Sequence, residues 1–358
     1  MTMAEEKLPL YRDPETGVSI STHSMIKTFR RCPRQAYYKY VERLKPQMLG
    51  KPLRRGTWIH ALLEAYYKGE DWEAEHDRQS KKFHLLFDEE KEALGDLPDE
   101  MKRLMKSYLW HYKGEAWKVH EVEFTLEAAF PDGALYRGKI DMLIEDQYGL
   151  WIVDHKSHAR LPDLTYRMLD AQSALYVWAA WKNKIPVQGH IWNYIRTKAP
   201  TIPKQLKAGG ISRAKSIDTD FLTYLSAIRS YGLDPQDPEH RQKLRYLKSQ
   251  RYVPGEMQTS SFFRRDVMEK SKDTLVQVAT EAYTTHQRMH AYPFDNLRRV
   301  ERVPDRACNF SCSYTDLCSV ELFGGNGDQI RRSRFKVGDP MDYYYDNESL
   351  EERKADRD

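Results

Sequence analysis

Cysteine is scarce in this chain of 358 residues: there are only four, Cys32, Cys308, Cys312 and Cys318. So few thiols, three of them crowded together and one far upstream, exclude a disulfide-dense secreted scaffold. Long apolar runs are also missing. Nothing approaches the roughly 20 residues that cross a bilayer as a helix, and the opening MTMAEEKLPLYRD has no signal-peptide core. The expectation is a cytoplasmic protein that meets no membrane. Internal repeats and low-complexity tracts are absent, which excludes a solenoid or a largely unfolded chain. The net charge is only +4, so the total says little about partners, and 40% hydrophobic against 31% charged residues is an ordinary globular balance.

The distribution of charge says more. Residues 26 to 55 carry ten Lys or Arg against one acid, Glu42, and residues 155 to 215 carry eleven against two, Asp163 and Asp170. The stretch from Glu64 to Glu100 and the tail after Gly338 are acidic. Two basic segments flanking an acidic middle fit a polyanion held near carboxylates, provided they converge in space. Arg30, Arg31, Arg34 and Arg55 in the first segment, and Lys204, Lys207 and Arg213 in the second, are the candidate DNA contacts. The last three lie in PKQLKAGGISRAK, read as a mobile basic loop that touches DNA or gates it, or as an ordinary surface loop. SSFFRRDV, at 260–267, pairs aromatics with arginines, as a base-stacking surface would; core aromatics beside surface arginines would look the same.

Period decides the fold class. STHSMIKTFRRCPRQAYYKYV and RGTWIHALLEAYYKG show helical spacing, and a charged helical stretch continues to about Tyr112. HEVEFTLEAAF then alternates as a strand does, PDG turns the chain, ALYRGKIDMLIED forms a second strand, QYGL turns it again, and LWIVDHKS is a third. A helix, LTYRMLDAQSALYVWAAWKNK, and one more strand, GHIWNYIRT, follow. An antiparallel meander, a helix and a further strand predict a mixed α/β sheet with helical additions at both ends. The expected organisation is an N-terminal helical region over 1–112, a sheet core over 113–215, a C-terminal helical region over 216–325 and a charged, disordered tail over 326–358.

Asp141 falls inside the second strand and Asp154 near the end of the third. Neighbouring strands lie close to 5 Å apart, so both carboxylates can reach one divalent ion. Lys156 lies two residues beyond Asp154 and therefore faces the same side. Hard oxygen ligands suit Mg²⁺ or Mn²⁺, and a lysine beside the ion can orient or deprotonate a water while steadying developing phosphate charge. Taken alone, an Asp-Lys pair at a strand end also reads as a surface ion pair. His155 points the other way; its backbone carbonyl is a candidate metal ligand and its ring a structural group.

GKID at Gly138–Asp141 followed by IVDHKS at Ile152–Ser157 resembles the acid, D-x-K core of the PD-(D/E)XK nucleases. It is similar to the RecB-like branch, which includes the CRISPR-associated RecB-family exonucleases and the nuclease part of AddB. GTWIHALLE resembles that branch's helical G-x-x-x-H-x-x-x-E element, which implies His60 as a metal ligand with Glu64 on the same helix face. AQSALY resembles its Q-x-x-x-Y motif, which implies Gln172 and Tyr176 positioning the lysine, the ion or the DNA. The cysteines resemble the same branch's staple, in which an N-terminal cysteine joins a C-terminal trio around a 4Fe-4S cluster. Four thiolates hold either iron-sulfur or zinc, and the gaps of three and five within the trio differ from the commoner spacing.

The resemblance implies a restriction-endonuclease-like core stapled by a metal cluster, using Mg²⁺ or Mn²⁺ at His60, Asp141, Asp154 and the His155 carbonyl. It implies a DNA exonuclease on single-stranded or free ends that hydrolyses phosphodiester bonds in recombination, repair or replication, with protein partners open. The competing readings are a silent DNA-binding or assembly subunit with the same fold and iron-sulfur staple, and a zinc-stapled regulatory protein.

Overall fold

The meander expected from the alternating segments is the centre of the molecule. The computed structural model describes residues 11–13, 16–48, 50–163, 165, 168–207, 209–212, 214 and 216–344. A short strand β1 (Ile20–Ser21) leads into α1 (His23–Arg31), α2 (Pro33–Ala36), a π-helical turn (Tyr37–Val41) and β2 (Leu44–Pro46). Four helices follow: α3 (Lys51–Tyr67), α4 (Trp72–His84), α5 (Asp88–Leu94) and α6 (Leu97–His111). The meander is β3 (Lys118–Ala129), β4 (Leu135–Asp146) and β5 (Gly149–His158), followed by α7 (Ala171–Lys182) and β6 (Val187–Arg196). Then come α8 (Phe221–Ser230), α9 (Pro238–Ser249), β7 (Phe263–Glu269) and α10 (Lys272–Ala291). The chain continues through α11 (Ala307–Phe310), α12 (Thr315–Leu322), α13 (Gly327–Arg334), β8 (Phe335–Val337) and a 3-10 turn (Asp342–Tyr344).

The central sheet runs β1-β4-β5-β6-β7, with β3 paired to β4. β4 is antiparallel to β3 and β5, β5 is parallel to β6, and β6 is antiparallel to β7, so the sheet is mixed as expected. The two hairpin turns are closed by acids: Asp132 accepts from the Ala134 amide at 3.1 Å and Asp146 from the Tyr148 amide at 2.8 Å. One face packs on α1, α7 and α10 through Tyr136, Ile140, Ile152, Leu175 and Met289. The other is covered by α3 and α6, which bring Ile59, Leu62, Met105 and Tyr108 against Ile195 and Phe263. Fully burying a side chain of this size is worth roughly 1.5–3 kcal/mol, so Leu175 and Val177, both completely buried on opposite sides of α7, hold that helix inside the core.

Three expectations change. The helix read from Leu164 starts at Ala171, because the Asp170 carboxylate accepts from the Gln172 amide at 2.9 Å and caps it there; residues 164, 166 and 167 lie outside the described residues. SSFFRRDV is the edge strand β7, with Phe262 and Phe263 buried, so the region after 216 supplies part of the central sheet and is not purely helical. The expected charged tail is structured as far as Tyr344. β8 pairs with β2, Lys45 bonds Asp342 at 2.8 Å, Tyr11 donates to Asp339 at 3.3 Å, and Met341 is fully buried. The rest of that tail, 345–358, lies outside the described residues. No helix among the described residues is long and apolar enough to cross a membrane.

Candidate active site

The site sits where a strand ladder ends. β4 and β5 pair from Asp146–Gly149 as far as Met142–Val153. One residue further on, Asp141 and Asp154 face each other and the ladder stops. β3 occupies one edge of β4 along its length, so β1, paired at Leu135 and Tyr136, shares the other edge with β5 and leaves a gap between them. The His155 amide, which has no backbone carbonyl to meet there, donates to Asp141 Oδ2 at 2.6 Å. Both carboxylates are buried, Asp141 at 4% and Asp154 at 2% exposure.

Two helices complete the cluster, and two glycines admit them. A Cβ on Gly138 would lie 2.7 Å from the Tyr176 ring, so only glycine lets α7 come this close to β4. From α7, the Gln172 amide donates to Asp154 Oδ1 at 3.1 Å and to the Tyr176 hydroxyl at 2.8 Å. On the other side, a Cβ on Gly56 would lie 2.8 Å from Ser157 Oγ, so α3 runs against the end of β5 and brings His60 to 3.8 Å from Asp141 Oδ2. Lys156 reaches back to Asp154 Oδ2 at 2.6 Å, with its ammonium 5.3 Å from the centre of the Trp192 ring. His60, Asp141, Asp154, Lys156, Gln172 and Tyr176 therefore line one cavity of about 400 Å³.

Electrostatics make this cluster costly as it stands. Burial, then the neighbouring Asp154, then Glu123, push the Asp141 carboxyl well above the usual range, against Lys156 and the His155 amide. Burial and then Lys156 push His60 down to about 4, so its ring is neutral at pH 7 and keeps a nitrogen lone pair. The His155 carbonyl takes a hydrogen bond from that ring. The His155 ring itself turns to the opposite face, where the Asn193 amide donates to its Nδ1 at 2.7 Å and it stacks on Tyr67. Among the described residues, no three His, Cys, Asp or Glu side chains are drawn together as a metal-holding group. The donor set nonetheless suits a hard divalent ion: two buried carboxylates side by side and a neutral imidazole, with the repulsion an ion would relieve.

The motifs missed several residues. The register places Glu123 opposite Asp141, half-buried and paired with Lys139 at 3.1 Å; its alternation with Val122 and Phe124 marks it in the sequence only as one more polar strand position. His23, Lys27 and Tyr344 also line the cavity. Glu64 does not join the lining and pairs with Lys68 at 2.7 Å.

The arginines expected on DNA are engaged by the protein instead. Arg30 donates to Thr285 and the Glu281 carbonyl. Arg31 donates to Ser311 at 3.5 Å, and Arg55 pairs with Glu100. Arg34, at 3% exposure, donates to the carbonyls of Leu297 and Val300. Lys204 and Lys207 are exposed, and Arg213 lies outside the described residues.

The first helices are clamped to the C-terminal region by an ionic knot. Glu321 accepts from Tyr38 at 2.5 Å and from Arg331 at 2.6 Å, Arg34 lies 3.4 Å from it, and Arg331 also bonds Glu42 twice at 2.7 Å. Cys312 and Cys318 pack beside Tyr38 in the same corner. All four thiols are free and partly exposed, and no three of them meet.

Comparison with known proteins supplies the family. The family model of the PD-(D/E)XK nuclease superfamily matches residues 21–319. A structure described as that of a "putative exonuclease" from Eubacterium rectale is 15% identical, over 69% of this chain and 88% of that one, with a TM-score of 0.36. The structure of SSO0001 is 13% identical, over 69% of this chain and 90% of that one, with a TM-score of 0.24. Among curated proteins none matches. With most of its length, including the paired acids and the lysine, inside the family match, the chain belongs to the PD-(D/E)XK nuclease superfamily.

Proposed function

We propose that the chain is a metal-dependent deoxyribonuclease acting as an exonuclease on single-stranded or free DNA ends. One observation carries the reading. Asp141 and Asp154 are buried opposite each other where the β4–β5 ladder ends, with His60 beside one and Lys156 against the other.

Asp141, Asp154, His60 and the His155 carbonyl are the ligands for Mg²⁺ or Mn²⁺. When bound, the ion supplies Lewis acidity toward a phosphodiester oxygen and acidifies a water. Lys156 holds a positive charge at the point where phosphate charge grows, and it can orient the attacking water. Gln172 fixes the Asp154 rotamer, and Tyr176 fixes Gln172. Lys27 and Lys139 add positive charge to the cavity lining, so binding weakens steeply with salt.

The four cysteines are proposed to carry a 4Fe-4S cluster, with zinc the lesser alternative. Support comes from the thiolate set and from the shared corner of Cys312, Cys318 and the first helices. The thiols as placed do not form that site, and the Glu321 knot already clamps the same elements, so no part of the reaction is assigned to the cluster. Iron and acid-labile sulfide in anaerobically purified protein test it; zinc without iron supports the alternative.

The activity is tested on end-labelled single- and double-stranded DNA with Mg²⁺ or Mn²⁺, comparing the unmodified chain with Asp154→Ala and Lys156→Ala. Metal-dependent shortening of labelled ends that both changes abolish is expected. Activity surviving either change unaltered removes the mechanism.

A further inference from the structure

The cleft has a wall that the family match does not include. The match ends at residue 319, yet the 3-10 turn Asp342–Tyr344 puts Tyr344 into the cavity lining. The segment carrying it is tied down along its course. Gly338 donates to the Arg43 carbonyl at 3.0 Å, and the Lys45–Asp342 and Tyr11–Asp339 bonds hold its middle. The Tyr344 amide donates to the Met341 carbonyl at 2.8 Å, and its own carbonyl accepts from Thr125 at 3.0 Å. The phenol lies among Thr22 and Ser24 at the start of α1, with Tyr40 and Lys156 near it. Tyr344 is half-buried: it packs against the core on one side and lines the cleft on the other.

We propose that Tyr344 is a substrate-contacting residue whose ring receives the base of the nucleotide adjoining the scissile phosphate, so that this C-terminal strap selects an unpaired end. The inference rests on the nuclease reading above and deepens it. Three features carry it. The residue is aromatic, half-buried and part of the cleft lining, and stacking on an aromatic side chain tolerates any base but requires it to be unpaired. Lys27 and Lys156 stand in the same cavity to take the flanking phosphates. The strap is fixed by buried and hydrogen-bonded anchors, so the ring is a standing wall of the cleft and not a chance contact.

The test is binding, not cleavage, in the full chain carrying Asp154→Asn. Fluorescence anisotropy of a short labelled single strand and of the matching blunt duplex is compared with and without Tyr344→Ala, Tyr344→Phe, and a stop after Tyr344. Tyr344→Ala is expected to weaken single-strand binding about tenfold, as the loss of one stacked base does, while duplex binding stays within about twofold. Tyr344→Phe keeps the ring, and the chain ending at Tyr344 keeps the wall, so both should bind as the full chain does. Equal thermal melts of the point variants exclude misfolding as the cause. Unchanged single-strand binding in Tyr344→Ala, or equal weakening on both DNAs, overturns this inference alone. Failure of both the Asp154→Asn parent and the unmodified chain held free of metal to bind either DNA overturns it together with the nuclease reading.

Discussion

The central sheet carries two charged clusters back to back, one built on β6 and β7 and the other on β4 and β5, and their contrast explains the molecule. On one face Arg265, at 5% exposure, pairs with Glu115 at 2.6 Å. Its guanidinium lies 3.5 Å from the centre of the Tyr112 ring and 3.6 Å from that of Trp117. It also donates to the hydroxyls of Tyr67 and Tyr108, and Asn193 links Tyr108 to His155. Charge there is matched and enclosed, which is what a buried cation requires. On the other face two buried carboxylates lie side by side, Lys156 is against Asp154, and the nearby Glu123 is taken by Lys139. One cluster is settled by the fold; the other keeps two adjacent carboxylates whose repulsion a ligand would settle. Substitutions should separate them accordingly, the first through stability and the second through chemistry.

The largest effect belongs to the cleft. Lys156→Gln should lower cleavage by about 10³-fold, the scale of losing a group that acts in proton transfer or charge stabilisation, while its amide still donates to the buried Asp154, so the melting temperature should fall less than in the arginine variant across the sheet. A variant that instead unfolds would erase the contrast. Across the sheet, Arg265→Met strands Glu115 without its partner and should cost about 3–5 kcal/mol in denaturant unfolding, with residual folded protein still cutting DNA.

Asp141→Asn should act in the opposite sense. Burial and like charge raise the Asp141 carboxyl in the folded chain. Such a group contributes stability that is complete at acid pH and is lost as pH rises from the ordinary carboxylate range through the raised value. Holding a charge at this buried position therefore opposes folding as pH rises. The asparagine keeps an oxygen for the His155 amide and removes the charge, so the metal-free protein should be more stable at neutral pH. The gain is read in thermal melts; a loss would show that Asp141 is already well compensated.

Gly138→Ala sharpens the comparison at smaller scale. Its Cβ meets the rigid Tyr176 ring, and the strain should cost about 1–3 kcal/mol, with cleavage falling as Gln172 loosens from Asp154. Gly56→Ala meets only the Ser157 hydroxyl, which can rotate aside, so its cost should be the smaller of the two.

The cleft was the legible cluster because its residues sit in dense local patterns. GKID, IVDHKS and AQSALY keep acid, lysine and glutamine at strand and helix spacing; of the two tight-approach glycines, Gly138 opens GKID and Gly56 opens GTWIHALLE. The meander was legible because its alternation has one period throughout. The Arg265 cluster gave no such signal: its partners lie at 67, 108, 112, 115, 117 and 193, and nothing local distinguishes an enclosed arginine from an exposed one. The same blindness hid the burial of Arg34, at 3% exposure, whose acceptors are the carbonyls of Leu297 and Val300 far along the chain. Tyr344 was read as part of a disordered tail because acidic composition conceals the two anchors, β8 and Met341, that hold the strap. Glu123 escaped because its role depends on register with Asp141, which only strand pairing reveals.

The most direct test of the central claim is calorimetric titration of Mn²⁺ into the metal-free chain and into His60→Ala, Asp141→Asn and Asp154→Asn. One site per chain, weakened or lost in each variant, is the predicted result, because the three side chains serve one ion. A site that binds Mn²⁺ as tightly in all three variants as in the unmodified chain would contradict the account.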